Sequence, residues 1–313
     1  MSRDLEPAGL GHAWLPQGRT GATLALTLAA LFWAGNFVAG RALRGDADPV
    51  TLNVLRWLLC LALFLPLVGR NLVRHRRVVR REWRLLTALG ATGIAAFHTL
   101  VYLALVETTA VNALLILTLA PVLIMAGAAI MGQDRPTAGQ WLGSVVSLVG
   151  AFVLVSRGNF AALTEQQMNW GDLWMLGAVV AWAAYSLLLR RRPRDLPQDV
   201  TLAASIVAAL VLLCPLLVLK GSAIRFNVTP ATLAALSYIA VFASLIAFLL
   251  WSHGVNEIGA ARAGQFVNLM PVFGAVLAVL LLGERITVSQ VVGAAFVFAG
   301  ILLVQGKGAA ERS

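Results

Sequence analysis

Charge is scarce in this sequence. Only 12% of its 313 residues are Asp, Glu, Lys or Arg, while 59% are hydrophobic and the mean hydropathy is +0.83. Soluble domains carry about 25% charged and about 45–50% apolar residues, so a water-soluble globular chain is excluded. Cysteine is nearly missing: Cys60 and Cys214 each lie in an apolar run and no CxxC pair exists, so neither a disulfide framework nor a metal-binding cysteine pair is expected. Acids are absent from span centres, with Glu107, Asp172 and Glu257 near span ends, which argues against a carboxylate proton relay. HExxH, GxSxG and Walker A sequences are also lacking, so the chain is expected to be neither an enzyme nor an ATPase, and no cofactor is implied.

What the chain has is long apolar runs. A spanning helix needs roughly 20 apolar residues, and ten segments qualify: 21–40, 50–69, 84–105, 109–131, 138–156, 171–190, 200–219, 231–252, 260–282 and 287–305. The fold class expected is therefore an all-α, polytopic membrane protein. The net charge of +10 resides largely in the loops. With the N-terminus in the cytoplasm, 17 of the 24 Lys and Arg fall on the cytoplasmic side, six on the other, and Arg56 inside a span. Both termini are thus expected in the cytoplasm. The basic excess calls for membrane lipids as neighbours and for no nucleic-acid partner.

Sliding the chain on itself by 149–150 residues aligns its two halves. Trp33 meets Trp182, Val50-Thr51-Leu52 meets Val200-Thr201-Leu202, Pro121-Val122 meets Pro271-Val272, and Gly143 and Gly150 meet Gly293 and Gly300. A duplicated unit with five spans must enter the membrane from opposite sides in its two copies, which predicts two inverted five-helix repeats. The expected organisation is a cytoplasmic tail at 1–20, a first repeat at 21–156, an extracytoplasmic linker at 157–170, a second repeat at 171–305 and a C-terminal tail at 306–313. Inverted repeats suit secondary transporters, in which two halves exchange conformations around a midplane site.

The stretches Leu31-Phe32-Trp33-Ala34-Gly35-Asn36-Phe37, Gly171-Asp172 with Ala181-Trp182-Ala183-Ala184-Tyr185, and Leu269-Met270-Pro271-Val272 followed by Leu282-Gly283-Glu284-Arg285 resemble the drug/metabolite transporter superfamily with its EamA-type repeats. Gly132-Gln133-Asp134-Arg135 departs from the Gly-Glu-Arg of the second half. Among its branches the chain looks most like bacterial exporters of aromatic and broad-range amino acids. The resemblance implies export of amino acids or related metabolites across the inner membrane; drugs or nucleosides are the alternative cargo.

Substrate contacts are expected where polar residues coincide under the repeat near midspan. Asn36 aligns with Tyr185 and Thr118 with Asn268. An unpaired amide or hydroxyl in hydrocarbon costs several kcal/mol, so these side chains must face protein or a wet cavity. Trp33 and Trp182 share helix faces with Asn36 and Tyr185; His98 and Tyr102 form another face; Ser244, Phe248, Trp251 and Gln265 complete the candidate set. His98 either contacts substrate or is a histidine satisfied by a neighbour. Arg56, the one permanent charge in a span, either holds a substrate carboxylate or ties its helix to carbonyls or to an outer-loop acid such as Asp46 or Asp48. Pro121 and Pro271 are paired hinges or static kinks. Gly139-xxx-Gly143 and Ser289-xxx-Gly293 serve close helix packing within the chain or a homodimer contact.

Overall fold

In the computed structural model, residues 17–43, 45–158, 169–220, 225–282 and 285–306 are described. The tail up to residue 16, most of the 157–170 linker, the Gly283-Glu284 pair and the tail from residue 307 lie outside the described residues. Ten long helical segments follow in order among the described residues: α1 (Gly18–Leu43), α2 (Pro49–Arg74), α3 (Trp83–Glu107), α4 (Ala110–Leu117 and Ala120–Ile130), α5 (Ala138–Ser156), α6 (Trp170–Leu189), α7 (Gln198–Lys220), α8 (Pro230–Ile258), α9 (Ala260–Gly264, Gln265–Asn268 and Leu269–Leu282) and α10 (Val288–Gly306), with a short helix Arg76–Arg81 between α2 and α3. Among the described residues no strand occurs beyond one isolated bridge, Ala47 to Phe226. Among the described residues nine stretches are long and apolar enough to cross a membrane, and α9, which contains a 3-10 turn, is the tenth segment. Large apolar side chains such as Leu142, Val211, Leu280 and Leu302 face outward, the inverse of a soluble bundle.

Helix starts follow local capping chemistry. Asp48 accepts from Thr51 N to start α2, and Thr137 with Gln140, Asn169 with Asp172, and Thr229 with Thr232 form reciprocal caps on α5, α6 and α8. Each cap satisfies one of its helix's orphan amides.

Backbone irregularities recur at the repeat offset. A π-helical stretch interrupts α3 at Gly90–Ala96 and α8 at Ile239–Ile246. Both α4 and α9, read from sequence as continuous spans, are broken just before their prolines. In α4 the amides of Thr118 and Leu119 bond carbonyls three residues back at 3.1 Å, and in α9 the Gln265–Asn268 turn is 3-10. A proline lacks its amide and its ring crowds the preceding turn, so the tighter register forms on its N-terminal side.

The seam between α5 and α10 maps onto itself when the halves are exchanged. A Cβ on Gly143 would stand 2.8 Å from Gly300 O and one on Gly300 2.5 Å from Gly143 O; Gly150 and Gly293 repeat the relation at 2.7 and 2.6 Å. Only glycine lets the two backbones approach so closely. Gly143 and Gly293, the second members of the small-residue stripes, are thus engaged within the chain.

The two ends of the bundle are tied differently. On the end where α1 begins and α10 ends, Gly18 N donates to Glu257 Oε2 at 3.0 Å and Asn71 Nδ2 to Asp199 Oδ2 at 2.9 Å; Arg81 Nη2 grips Asp195 at 2.9 and 3.0 Å. Hydrogen bonds from Arg81 to Glu82 and Asp195 push its guanidinium pKa up. The opposite end is closed by backbone pairing, Asp48 N to Arg225 O at 3.0 Å and Asn227 N to Asp46 O at 2.8 Å.

Candidate functional site: an aromatic cavity between the halves

Trp33 on α1 and Trp182 on α6, partners under the repeat, meet edge to face with centroids 4.9 Å apart at 87°. Phe97 packs on Trp182 at 4.9 Å, and Phe248 and Trp251 of α8 back both tryptophans at 5.2–6.0 Å. Edge-to-face contacts place a positive ring edge on a negative face and add about 0.5–1.5 kcal/mol per pair beyond area burial. The cluster borders a cavity lined by Trp33, Asn36, Phe97, His98, Trp182 and the apolar Phe37, Val101, Leu117, Val267 and Met270. Its free space is about 20 Å³, roughly one water molecule, so the walls are drawn together.

The candidates divide into those on the cavity and those behind it. Asn36 and His98 line it; Asn36 Oδ1 is buried without a hydrogen-bond partner among the described residues, while the His98 ring is turned to the Ile94 and Gly93 carbonyls of its own helix. Tyr185, the repeat partner of Asn36, stacks obliquely on Trp182 at 5.2 Å and hydrogen-bonds Ser252, behind the tryptophans toward the end where α1 begins. Thr118 turns back onto Leu115 O at 2.5 Å. Gln265 and Asn268 donate to Ser144 Oγ at 3.2 Å and Ser147 Oγ at 2.9 Å, joining α9 to α5. Leu117, Val267 and Met270, beside the breaks that precede Pro121 and Pro271, line the cavity in their place.

Arg56 is fully buried. Its Nε and Nη2 donate to Ser244 Oγ at 2.9 and 2.7 Å, Nη1 to Tyr102 Oη at 2.8 Å, and Nη2 to Ala243 O at 3.5 Å. The expected tie to Asp46 or Asp48 does not form. Asp48 caps α2 and accepts from Arg225 N, and Asp46 accepts from Asn227, which engages both acids at the bundle end. The tie to a carbonyl does form. Ala243 lies in the π stretch of α8, whose wider register presents its carbonyl sideways; Trp33 Nε1 also donates to it at 3.0 Å.

Trp57, Phe97, Phe37, Val101 and Met270 are functional-site neighbours that sequence reading missed. Trp57 packs on His98 at 5.6 Å and Phe248 at 5.1 Å. Its adjacency to Arg56 and that of Phe97 to His98 were the available signals; the aliphatic lining residues gave no contrast in so apolar a chain.

The sequence profile of the EamA-like transporter family matches residues 20–156 and again 169–305. The chain belongs to that family. It is a multi-pass membrane transporter, and its relatives carry transporter names. It is 31% identical over 219 residues, covering 70% of this chain and 72% of the relative, to the uncharacterized transporter YyaM of Bacillus subtilis. It is 26% identical to an uncharacterized transporter of Archaeoglobus fulgidus over 91% of this chain and 97% of that one. A probable terminal-alkyne amino-acid exporter of Streptantibioticus cattleyicolor is 28% identical over 90% of this chain and 93% of the relative. A solved crystal structure superposes with a TM-score of 0.74 at 23% identity, covering 91% of this chain and 96% of that one, which shows the shared fold.

Proposed function

We propose that this EamA-family transporter exports amino acids, aromatic and aliphatic alike, across the inner membrane by alternating access, with both termini cytoplasmic and without catalysis. The observation that carries the reading is the cavity itself. It is lined by both repeat-related tryptophans, offers apolar walls of low shape selectivity, and holds one buried polar atom without a partner among the described residues, Asn36 Oδ1. An amino acid supplies what those walls lack: an ammonium donor for Asn36 and an apolar side chain for the aromatic rings. Breaks in α4 and α9 beside the cavity are natural places for the halves to bend. The amino-acid exporter among the relatives supports the cargo class. Among the described residues no acid lines the cavity, which favours facilitated diffusion or exchange over a carboxylate relay.

The test is uptake of a panel of labelled amino acids into proteoliposomes, with and without a pH gradient. Saturable uptake of several amino acids without the gradient is expected. No uptake above empty liposomes would overturn the cargo assignment and turn attention to drugs and nucleosides.

A further inference from the structure

We propose that Arg56 and Tyr102 form a carboxylate-binding site at the edge of the aromatic cavity. The inference rests on the amino-acid reading above and names the groups that would receive the acid end of the substrate.

A guanidinium stays charged in proteins, and a cation inside a span is costly unless compensated. Among the described residues Arg56 has no ion pair, although it is fully buried. Its neighbours are neutral: Ser244, Tyr102, the Ala243 carbonyl, and the Trp57 ring, whose centroid lies 5.4 Å from the guanidinium carbon. Such a site is short of one negative charge.

Counting donors locates where that charge would sit. The guanidinium has five N–H groups in a planar fork. One on Nε and two on Nη2 are directed at Ser244 and Ala243, and one on Nη1 reaches Tyr102, which leaves one Nη1 N–H without a partner among the described residues. Ser244 is already fully engaged, since it accepts twice from Arg56 and donates to Ile239 O at 2.8 Å. Tyr102 is not: its hydroxyl accepts from Arg56 and keeps its own proton to donate. The free N–H and the free O–H therefore stand side by side, 2.8 Å between their heavy atoms, and one carboxylate can accept from both.

The position suits the cavity. His98 and Val101, on the same helix as Tyr102, line it; the Tyr102 ring lies 3.6 Å from where a Cβ on Gly40 would be, one turn beyond Asn36 on α1. Asn36 Oδ1, an acceptor, and the Arg56–Tyr102 pair, donors, would then receive the ammonium and the carboxylate that an amino acid carries on its one α-carbon.

The experiment is calorimetric titration of the purified full chain in detergent with L-phenylalanine, L-phenylalaninamide and 3-phenylpropionate, repeated on Tyr102→Phe and Arg56→Lys. A charge-assisted hydrogen bond corresponds to about tenfold or more in affinity, so wild type is expected to bind the amide at least about tenfold more weakly than phenylalanine. Tyr102→Phe, which keeps the ring, is expected to shrink that ratio, and Arg56→Lys, which keeps the charge and loses the fork, to shrink it further. Equal binding of phenylalanine and its amide by folded wild type would overturn the carboxylate site while leaving amino-acid transport standing. Binding of 3-phenylpropionate but not phenylalanine, lost in Tyr102→Phe, would keep the carboxylate site and overturn the amino-acid reading. Variants that lower all three affinities alike would show Arg56 to be a structural tie and overturn the proposal.

Discussion

The α5–α10 seam and the central cavity are built from the same duplicated sequence, yet one keeps the symmetry and the other has lost it. At the seam, Gly143 meets Gly300 as Gly293 meets Gly150, and the backbone separations agree to a few tenths of an ångström. Around the cavity only Trp33 and Trp182 match. His98 has Phe248 as its repeat partner, Tyr102 has Ser252, Asn36 has Tyr185, and Arg56 has Ile206. The contacts diverge accordingly. Tyr185 is hydrogen-bonded to Ser252, whereas in the other half Asn36 Oδ1 has no partner among the described residues and Tyr102 is drawn to Arg56. Under the proposed alternating access, a seam that rocks in both states calls for equal halves, and a site for an asymmetric substrate calls for unequal ones.

The comparison can be broken most forcefully at the tryptophans. Trp182→Ala removes a buried ring that touches five others, and it is expected to cost about 3–5 kcal/mol of stability and to reduce uptake to background, read by thermal unfolding in detergent and by proteoliposome uptake. A variant that unfolds normally and transports normally would remove the ring from the site. Next in size is the seam: Gly300→Ala places a methyl 2.5 Å from Gly143 O and is expected to cost about 1–3 kcal/mol, with Gly150→Ala matching it because the two positions are equivalent. Unequal costs at those mates would show that the seam's symmetry is only geometric.

The polar ladder between α9 and α5 sharpens the contrast further. Gln265 and Asn268 bond Ser144 and Ser147, while the repeat-related positions are Leu115 and Thr118, Ala294 and Val297, and the Thr118 hydroxyl turns back onto Leu115 O. Interhelical hydrogen bonds in membranes average about 0.6 kcal/mol, so Asn268→Ala is expected to lower stability by about that amount and to leave the cargo preference unchanged. A changed preference would bring Asn268 into the site. The smallest effect expected is that of Tyr185→Phe, which loses one hydroxyl bond to Ser252 at about 0.6 kcal/mol and raises the rate at which the termini side opens, visible as faster uptake with little loss of stability.

How much of this was readable in the chain follows from what each feature depends on. Ten apolar runs and a constant repeat offset are long-range periodic signals, and they fixed the helices to within a few residues. Trp33, Asn36, His98 and Trp182 stood out because large aromatic or polar side chains are conspicuous at midspan, and they do line the cavity. Thr118, Gln265 and Asn268 were equally conspicuous but point elsewhere, since which face a polar residue presents depends on the 3-10 turns before Pro121 and Pro271. The π stretches left no sequence signal, although they present the carbonyl that receives Trp33 and Arg56. Val101 and Met270 were hidden for the opposite reason: in hydrocarbon, an aliphatic residue on a cavity wall and one facing lipid look alike.

The account turns on the two halves opening in alternation, so the deciding measurement is accessibility from each face. In a cysteine-free background, with Cys60→Ala and Cys214→Ala, the repeat-related variants Val101→Cys and Trp251→Cys would be labelled with a membrane-impermeant maleimide from either side, with and without L-phenylalanine. The prediction is labelling of the two positions from opposite faces, with substrate shifting them in opposite directions. Labelling of both from one face, or no response to any amino acid that the protein transports, would contradict it.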